Sequence, residues 1–129
     1  MELDHIEYTV ELRTPVFPTE DKNTVMFCLE EIFPNTEWEF IDDELTGKTE
    51  DLQHFKEILE DARIRDTARK YMESNVEGDQ CIFELSKQAS CTGKINFSEL
   101  KQPLGPVEVK IKSPDIEFLI DALTETGER

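Results

Sequence analysis

The 129-residue sequence contains few cysteines and no long apolar run. Its three cysteines, Cys28, Cys81 and Cys91, include no CxxC pair, and an odd number at these spacings disfavours a disulfide framework or a zinc site. No apolar stretch approaches the length that spans a bilayer, and the acidic start is unlike a signal peptide. We therefore expect a cytoplasmic protein that has no membrane partner.

Catalytic motifs are also missing, since the sequence has no GxSxG, HExxH or GxxxxGK(S/T) segment. His5 and His54 lie far apart in the chain, so each is better interpreted as a lone surface or packing residue than as a metal ligand. The three adjacent acids at 42–44 offer oxygen ligands for a hard cation. Neighbouring side chains diverge, however, and a solvated turn is the better interpretation. These absences predict no enzymatic activity, no cofactor, no metal and no small-molecule substrate.

Basic residues are scarce, with 14 Lys and Arg against 30 Asp and Glu and a net charge of −16. Such a charge repels phosphate and argues against general binding of nucleic acids or anionic membranes. The imbalance is uneven, because residues 1–80 carry −14 whereas residues 85–113 carry +3. The acidic part suits a basic protein partner, or serves solubility alone, and the basic segment is a candidate site for an anionic partner.

Patterns of apolar residues predict the secondary structure. Helical spacing predicts a helix that Thr19 caps and Pro34 ends, and a last helix that Ser113 and Pro114 begin. The helical region 50–74 has apolar residues on two opposite sides, so we expect a break near residues 61–63. Residues 42–47 are predicted as a turn. Period-two alternation predicts strands over residues 5–13, 36–41, 81–86, 91–97 and 107–112.

The order β-α-β-α-α-β-β-β-α predicts a single α+β domain over residues 1–129. We expect one mixed sheet of about five strands, with helices packed on one face and the other face open. The strands at 81–86 and 91–97 are predicted as a hairpin, which would place Cys81 and Cys91 at opposite ends and prevent a bond between them. The polar tail at about 124–129 is expected to fray.

The segment "LSKQASCTGKINF" at 85–97 contains two lysines and no acid. Lysine and asparagine on an exposed sheet face suit phosphates, sugars and base edges. No aromatic residue occupies an outward position of the last three strands, so a stacking platform is absent. The alternative is that these lysines pair with glutamates across the strands, and the residues alone favour that alternative. The predicted site residues are Lys87, Gln88, Lys94, Asn96, Lys110 and Lys112.

A second basic cluster lies in the helical segment "ARIRDTARK". Arg65 and Arg69 are four residues apart and would share one face of a helix. They are secondary candidates for an anionic partner. Ordinary solvated helix charges, diluted by neighbouring acids, explain the cluster better.

Seven short stretches together resemble an archaeal family of small cytoplasmic proteins of unknown function, in the same order over nearly the whole chain. The resemblance implies a fold like that of the large-subunit ribosomal protein that contacts 5S ribosomal RNA, and hence a nucleic-acid partner by analogy of fold. The stretches are "PTED" (18–21), "IFP" (32–34), "DTAR" (66–69), "KQAS" (87–90), "GKINF" (93–97), "PLGPV" (103–107) and "LIDAL" (119–123).

The leading hypothesis is a non-enzymatic protein that binds structured RNA, such as ribosomal RNA, by its shape and its phosphates. The four lysines of the predicted site would neutralise phosphates, and Gln88 and Asn96 would bond sugars or bases. The alternative is an acidic module that binds a basic ribosomal or RNA-processing protein.

Overall fold

A computed structural model describes Leu3, residues 6–95, Phe97 and residues 106–125. Within them six strands form one sheet of order β2-β3-β1-β6-β5-β4, in which every neighbouring pair is antiparallel. The predicted α+β class is confirmed, whereas the expected mixed sheet is wrong. The elements are β1 (Thr9–Pro15), α1 (Lys22–Glu30), β2 (Glu37–Ile41), β3 (Glu44–Thr49), α2 (Gln53–Ala62), α3 (Arg65–Glu73), β4 (Val76–Glu77), β5 (Gln80–Leu85), α4 (Lys87–Ser90), β6 (Val107–Lys112) and α5 (Ile116–Leu123).

The strands bury one face and leave the other open. In β1, Val10 and Leu12 are buried and Glu11 and Arg13, which alternate with them, are exposed. Strands β5 and β6 bury alternate apolar residues in the same way. The buried side chains join those of the helices in one core. The helices therefore cover one face of the sheet, and alternate polar side chains form the other.

Two predicted segments differ from the structure. Residues 44–49, predicted mostly as a turn, form β3, and the turn shrinks to Asp42 and Asp43, whose φ angles are 54° and 62°. Positive φ at both central residues is the geometry of a tight hairpin turn. The strand was not predicted because Leu45 is the only strongly apolar residue in it. The segment forms a strand because it pairs with β1.

The strand predicted at 91–97 is also wrong. The Ser86 hydroxyl accepts a hydrogen bond from the backbone N–H of Ala89 at 3.2 Å, so it caps α4 where a hairpin was expected. Turns follow α4, with Gly93 at φ 70°. Of the described residues in this segment, Phe97 alone pairs with the sheet, through an isolated bridge to Leu85.

The expected break in the long helical region is confirmed. Helix α2 ends at Ala62, Arg63 adopts the left-handed conformation at φ 59°, and α3 begins at Arg65. The break lets both helices bury an apolar side, with Phe55 and Leu59 buried in α2 and Ala68 and Met72 in α3. A straight helix would have exposed one of these two pairs.

The chain stays ordered slightly beyond the last predicted helix. Thr124 is buried, and its hydroxyl donates to the carbonyl of Ile120 at 2.7 Å. The Arg65 guanidinium donates to the carbonyl of Glu125 at 2.8 Å. Residues 124 and 125 at the start of the expected tail are thus held in place, and 126–129 lie outside the described residues.

Gly47 in β3 leaves room for an aromatic ring. A Cβ atom at this position would lie 2.6 Å from Cζ3 of Trp38, its cross-strand partner, and 2.7 Å from Cγ2 of Thr36. We expect Gly47→Ala to lower the free energy of unfolding by about 1–3 kcal/mol, because the indole must shift in a packed site. Urea unfolding followed by fluorescence of the sole tryptophan would measure this. Lys48→Ala, which changes the exposed neighbour, should cost under about 0.5 kcal/mol, and equal costs would contradict the packing argument.

Candidate nucleic-acid interface

The open face of the sheet is crossed by rows of outward side chains that the strand register places side by side. Glu11 of β1 lies between Lys48 of β3 and Lys110 of β6. Two residues further along β6, Lys112 lies between Thr9 and Gln80. The third row contains Glu39, Thr46, Arg13, Glu108 and Glu84.

The strands of this face carry seven glutamates and four basic residues, a net charge of −3 against −16 for the whole chain. The charges are arranged unevenly over the face. Glu37, Glu39 and Glu77 lie on the edge strands β2 and β4, and Glu44 and Glu108 lie beside Arg13, whereas the three lysines lie on the inner strands β3 and β6. The charged residues are Glu11, Glu37, Glu39, Glu44, Glu77, Glu84, Glu108, Arg13, Lys48, Lys110 and Lys112.

The basic side chains of the open face differ in whether they form ion pairs with carboxylates. Arg13 forms ion pairs with Glu108 at 3.1 Å and Glu44 at 3.8 Å. None of the carboxylates in the described part of the chain lies within 4 Å of the ammonium groups of Lys48, Lys110 and Lys112. Cross-strand pairing therefore explains Arg13, and the three lysines remain available to an anionic ligand.

Lys112 is the clearest of the three. It is exposed, and its two neighbours across the sheet, Thr9 and Gln80, are uncharged. A shallow groove of about 220 Å³ runs beside it, with Glu7 and Asp79 also in its lining. Carboxylates beside an ammonium group suit a ligand that offers both phosphates and hydrogen-bond donors, as RNA does with its 2′-hydroxyls.

The prediction that Lys87 lies on an exposed binding surface is wrong. Its side chain is only 4% exposed, and its ammonium group donates to the carbonyl of Pro15 at 2.7 Å and to the Glu20 carboxylate at 3.0 Å. The ring of Phe17 lies 5.7 Å away. Lys87 therefore ties α4 to the segment before α1, and it is a structural residue.

The other residues of the predicted hairpin do not join the open face. Gln88 and Lys94 are exposed, but they belong to α4 and the turn after it, which pack beside α1 on the helical side. Asn96 lies outside the described residues. The structure thus brings together Lys110 and Lys112, and it separates them from Gln88 and Lys94.

The two arginines of the secondary cluster are engaged in contacts with α5 and the residues after it. Arg69 pairs with Asp121 at 2.8 Å, and Arg65 bonds the Glu125 carbonyl and the Glu60 carboxylate. Both side chains therefore help to hold α3 against the C-terminal helix. Solvated or paired helix charges remain the better interpretation of this cluster.

Sequence reasoning missed Lys48 as a site residue, because the surrounding residues 44–49 were predicted mostly as a turn. The signal that could have found it is the period of two in "ELTGKT", which places Lys48 outward with Glu44 and Thr46. Only the pairing of β3 with β1 shows that Lys48 and Lys110 flank the same glutamate.

The cysteines also differ from expectation. Cys28 of α1 forms a disulfide with Cys91 after α4, although the odd number of cysteines disfavoured a disulfide framework. Cys81 and Cys91 are not bonded to each other, as expected, and Cys81 is a buried free thiol. Burial raises the pKa of Cys81 to about 12, so this thiol is unreactive at neutral pH.

The described part of the chain contains no group of three or more His, Cys, Asp or Glu side chains that could hold a metal ion. None of the helices there has the length and apolar character needed to cross a bilayer.

Comparison with known proteins gives consistent matches over most of the chain. Residues 9–113 match a family model described as RNA binding. A UPF0201 protein of Sulfurisphaera tokodaii is 37% identical over 88% of this chain and 84% of its own length, and one of Thermococcus onnurineus is 36% identical over 86% and 87%. The crystal structure of a UPF0201 protein from Methanococcus jannaschii is similar with a TM-score of 0.85 and 32% identity, covering 90% of this chain and 98% of that one.

Proposed function

Because this chain belongs to the archaeal UPF0201 family and matches the RNA-binding family model over residues 9–113, we propose that it is a non-enzymatic protein that binds structured RNA. The ligand is recognised by shape and by its phosphates, and the contact surface is the open face of the sheet. The observation that carries the proposal is the trio Lys48, Lys110 and Lys112, which have no carboxylate of the described residues within 4 Å.

The spacing of the trio suits a phosphate backbone. Lys48 and Lys110 lie on strands separated by one strand, so their backbones are about 10 Å apart, and Lys110 and Lys112 are about 7 Å apart along β6. Three ammonium groups at such distances can each contact a different phosphate. The backbone of one strand, or two strands facing each other across a groove, presents phosphates over this span.

The glutamates of the face restrict how RNA can bind. They repel a phosphate placed directly above them, but they accept hydrogen bonds from 2′-hydroxyls and from base amino groups. The outward positions of the described strands offer Ile41 and Ile82 but no aromatic ring, so base stacking on the sheet is not the mode of binding. A folded RNA, whose phosphates and hydroxyls alternate across a minor groove, satisfies both conditions.

The expected resemblance in fold to a ribosomal protein indicates which RNA should be tested first. The likeness to the large-subunit ribosomal protein that contacts 5S ribosomal RNA stays a prediction, and 5S ribosomal RNA is accordingly the first ligand. Fluorescence anisotropy against it and an unrelated hairpin RNA should show binding that weakens with salt. About three phosphate contacts give a slope of log K against log salt of roughly −2 to −3.

We expect Lys112→Glu to weaken RNA binding about tenfold and to reduce the salt slope by about 1, because one phosphate contact is replaced by repulsion. Lys112 is exposed at the end of β6, so the fold should be unchanged by circular dichroism. The matched control is Lys70→Glu on the exposed side of α3, which makes the same change in net charge away from the open face. Equal losses in both variants would mean that net charge alone governs binding, and would refute a site on the open face.

The alternative partner is a basic ribosomal or RNA-processing protein, which the 22 acids of residues 1–80 would attract. Affinity capture with and without nuclease separates the two functions. An RNA-dependent function requires that captured partners disappear after nuclease treatment. Partners that persist, combined with no binding to RNA at low salt, would replace our proposal with the protein-binding one.

A further inference from the structure

The two cysteines of the Cys28–Cys91 disulfide differ in their exposure to solvent. Cys28 is 6% exposed in the buried side of α1, whereas Cys91 is exposed at the end of α4. A groove of about 380 Å³ opens beside both residues, with Thr19, Asp21 and Thr24 in its lining. A nucleophile from solvent therefore reaches the bond from the side of Cys91.

We propose that this disulfide is a reversible thiol–disulfide exchange site, with Cys91 Sγ as the atom attacked and a dithiol as the reductant. In the first step a thiolate of the reductant bonds to Cys91 Sγ, the S–S bond breaks, and Cys28 leaves as a thiolate that takes a proton from water. The second thiolate of the reductant then attacks the reductant sulfur that is bonded to Cys91 in the mixed disulfide. Cys91 is released as a thiolate, which also takes a proton from water. The reductant ends as a disulfide, and two electrons and two protons have passed to the protein.

The requirement for a dithiol follows from what holds the two cysteines together. Val25 and Leu29 anchor α1 in the core, and the buried pair of Lys87 with Glu20 holds α4 against the segment before α1. Breaking the S–S bond leaves both anchors intact, so Cys28 stays next to the mixed disulfide and reverses the attack of any single thiol. A second thiol on the reductant competes with this reversal, because it too acts within the same molecule.

Charge also discriminates among reductants. Glu20, Asp21 and Lys87 are the charged residues of the groove lining. The charge of Glu20 is offset by its pair with Lys87 in the same lining, so Asp21 is the acid there that repels an anionic thiol such as glutathione and leaves a neutral dithiol unaffected. Cys81 takes no part, because its thiol is fully buried and donates to the carbonyl of Met72 at 3.3 Å.

The test is a count of free thiols in the native full-length protein. Samples are treated with dithiothreitol or with glutathione at equal thiol concentration, quenched in acid, unfolded, alkylated and weighed by mass spectrometry. The untreated protein should carry one alkylated cysteine, and dithiothreitol should raise this to three at a rate at least about tenfold above that of glutathione. The reduced protein should keep its circular dichroism spectrum, with a Tm lower by about 10 °C.

Three results would overturn the proposal. Three alkylated cysteines in the untreated protein would show that the disulfide does not form. Reduction by dithiothreitol only at the rate of global unfolding would show that the bond is inaccessible in the native fold. Equal rates with both reductants would show that neither the retained neighbour Cys28 nor the charge of Asp21 matters. The Cys91→Ser variant, which keeps Cys28 and Cys81 as thiols, provides the reference for a protein that cannot exchange.

Discussion

Replacing Lys87 by alanine is expected to lower the free energy of unfolding by about 3–5 kcal/mol, because it leaves the Glu20 carboxylate buried without its partner. The side chains of Lys87 and Glu20 are 4% and 11% exposed and their charged atoms are 3.0 Å apart. The Pro15 carbonyl loses its bond to the ammonium group as well. Urea unfolding followed by tryptophan fluorescence would measure the loss.

Two further variants identify the cause of that loss. Lys94→Ala removes an exposed lysine of the same segment and should change stability by less than about 0.5 kcal/mol. Combining Lys87→Met with Glu20→Leu removes both charges and should recover most of the stability, since an apolar pair can replace a buried ion pair. A loss below about 1 kcal/mol for Lys87→Ala would mean that water reaches the pair, and the account of α4 as a tethered element would be wrong.

Phe55→Ala is expected to cost about 3–5 kcal/mol, the range for removing a fully buried aromatic side chain. Phe55 lies in α2 with no exposed surface, and its ring is 5.7 Å from that of Phe33 and 6.2 Å from that of Phe83. Phe83 in turn contacts Tyr71 and Phe97. Removing the ring opens a cavity at the junction of helices α2 and α3 with the sheet, which the stacked neighbours cannot close by small shifts.

The matched control for this cavity is Phe27→Ala. Phe27 is 67% exposed on α1, so the same change of side chain should alter the free energy of unfolding by less than about 0.5 kcal/mol. Thermal unfolding monitored by circular dichroism gives both values under identical conditions. Similar losses from the two variants would contradict the central role given to the aromatic cluster.

Local patterns in the sequence predicted the helices and strands that are specified by their own residues and not by distant partners. The strand around Trp38, the break at residues 61–63 and the last helix all follow from apolar spacing, and the structure contains each of them. Strand β3 and helix α4 could not be predicted in this way. The first is a polar segment ordered by pairing with β1, and the second depends on the Ser86 cap and on two distant partners, Glu20 and Cys28.

The candidate site shows the same division. Period-two alternation in β6 was enough to place Lys110 and Lys112 on the open face. Nothing local distinguishes Lys87 from an exposed lysine, because its burial depends on a carboxylate 67 residues earlier in the chain. Lys48 joins the site through strand pairing, which composition does not encode. Charge counts along a sequence thus identify a region, and only the register identifies which charges share a surface.

The central position of β1 in the sheet has a kinetic consequence. Its neighbour β6 pairs with it from Thr9 opposite Lys112 to Arg13 opposite Glu108, so the middle of the sheet joins residues about a hundred positions apart. Contacts this distant are slow to form, since a long loop must close before they stabilise anything. During synthesis β1 can pair early with β3 of the β2–β3 hairpin. The other edge of β1 stays unpaired until β6 has emerged, which requires almost all of the described chain. We expect folding in milliseconds to seconds. The partly folded chain, in which the backbone of β1 is still exposed, is the species most vulnerable to aggregation.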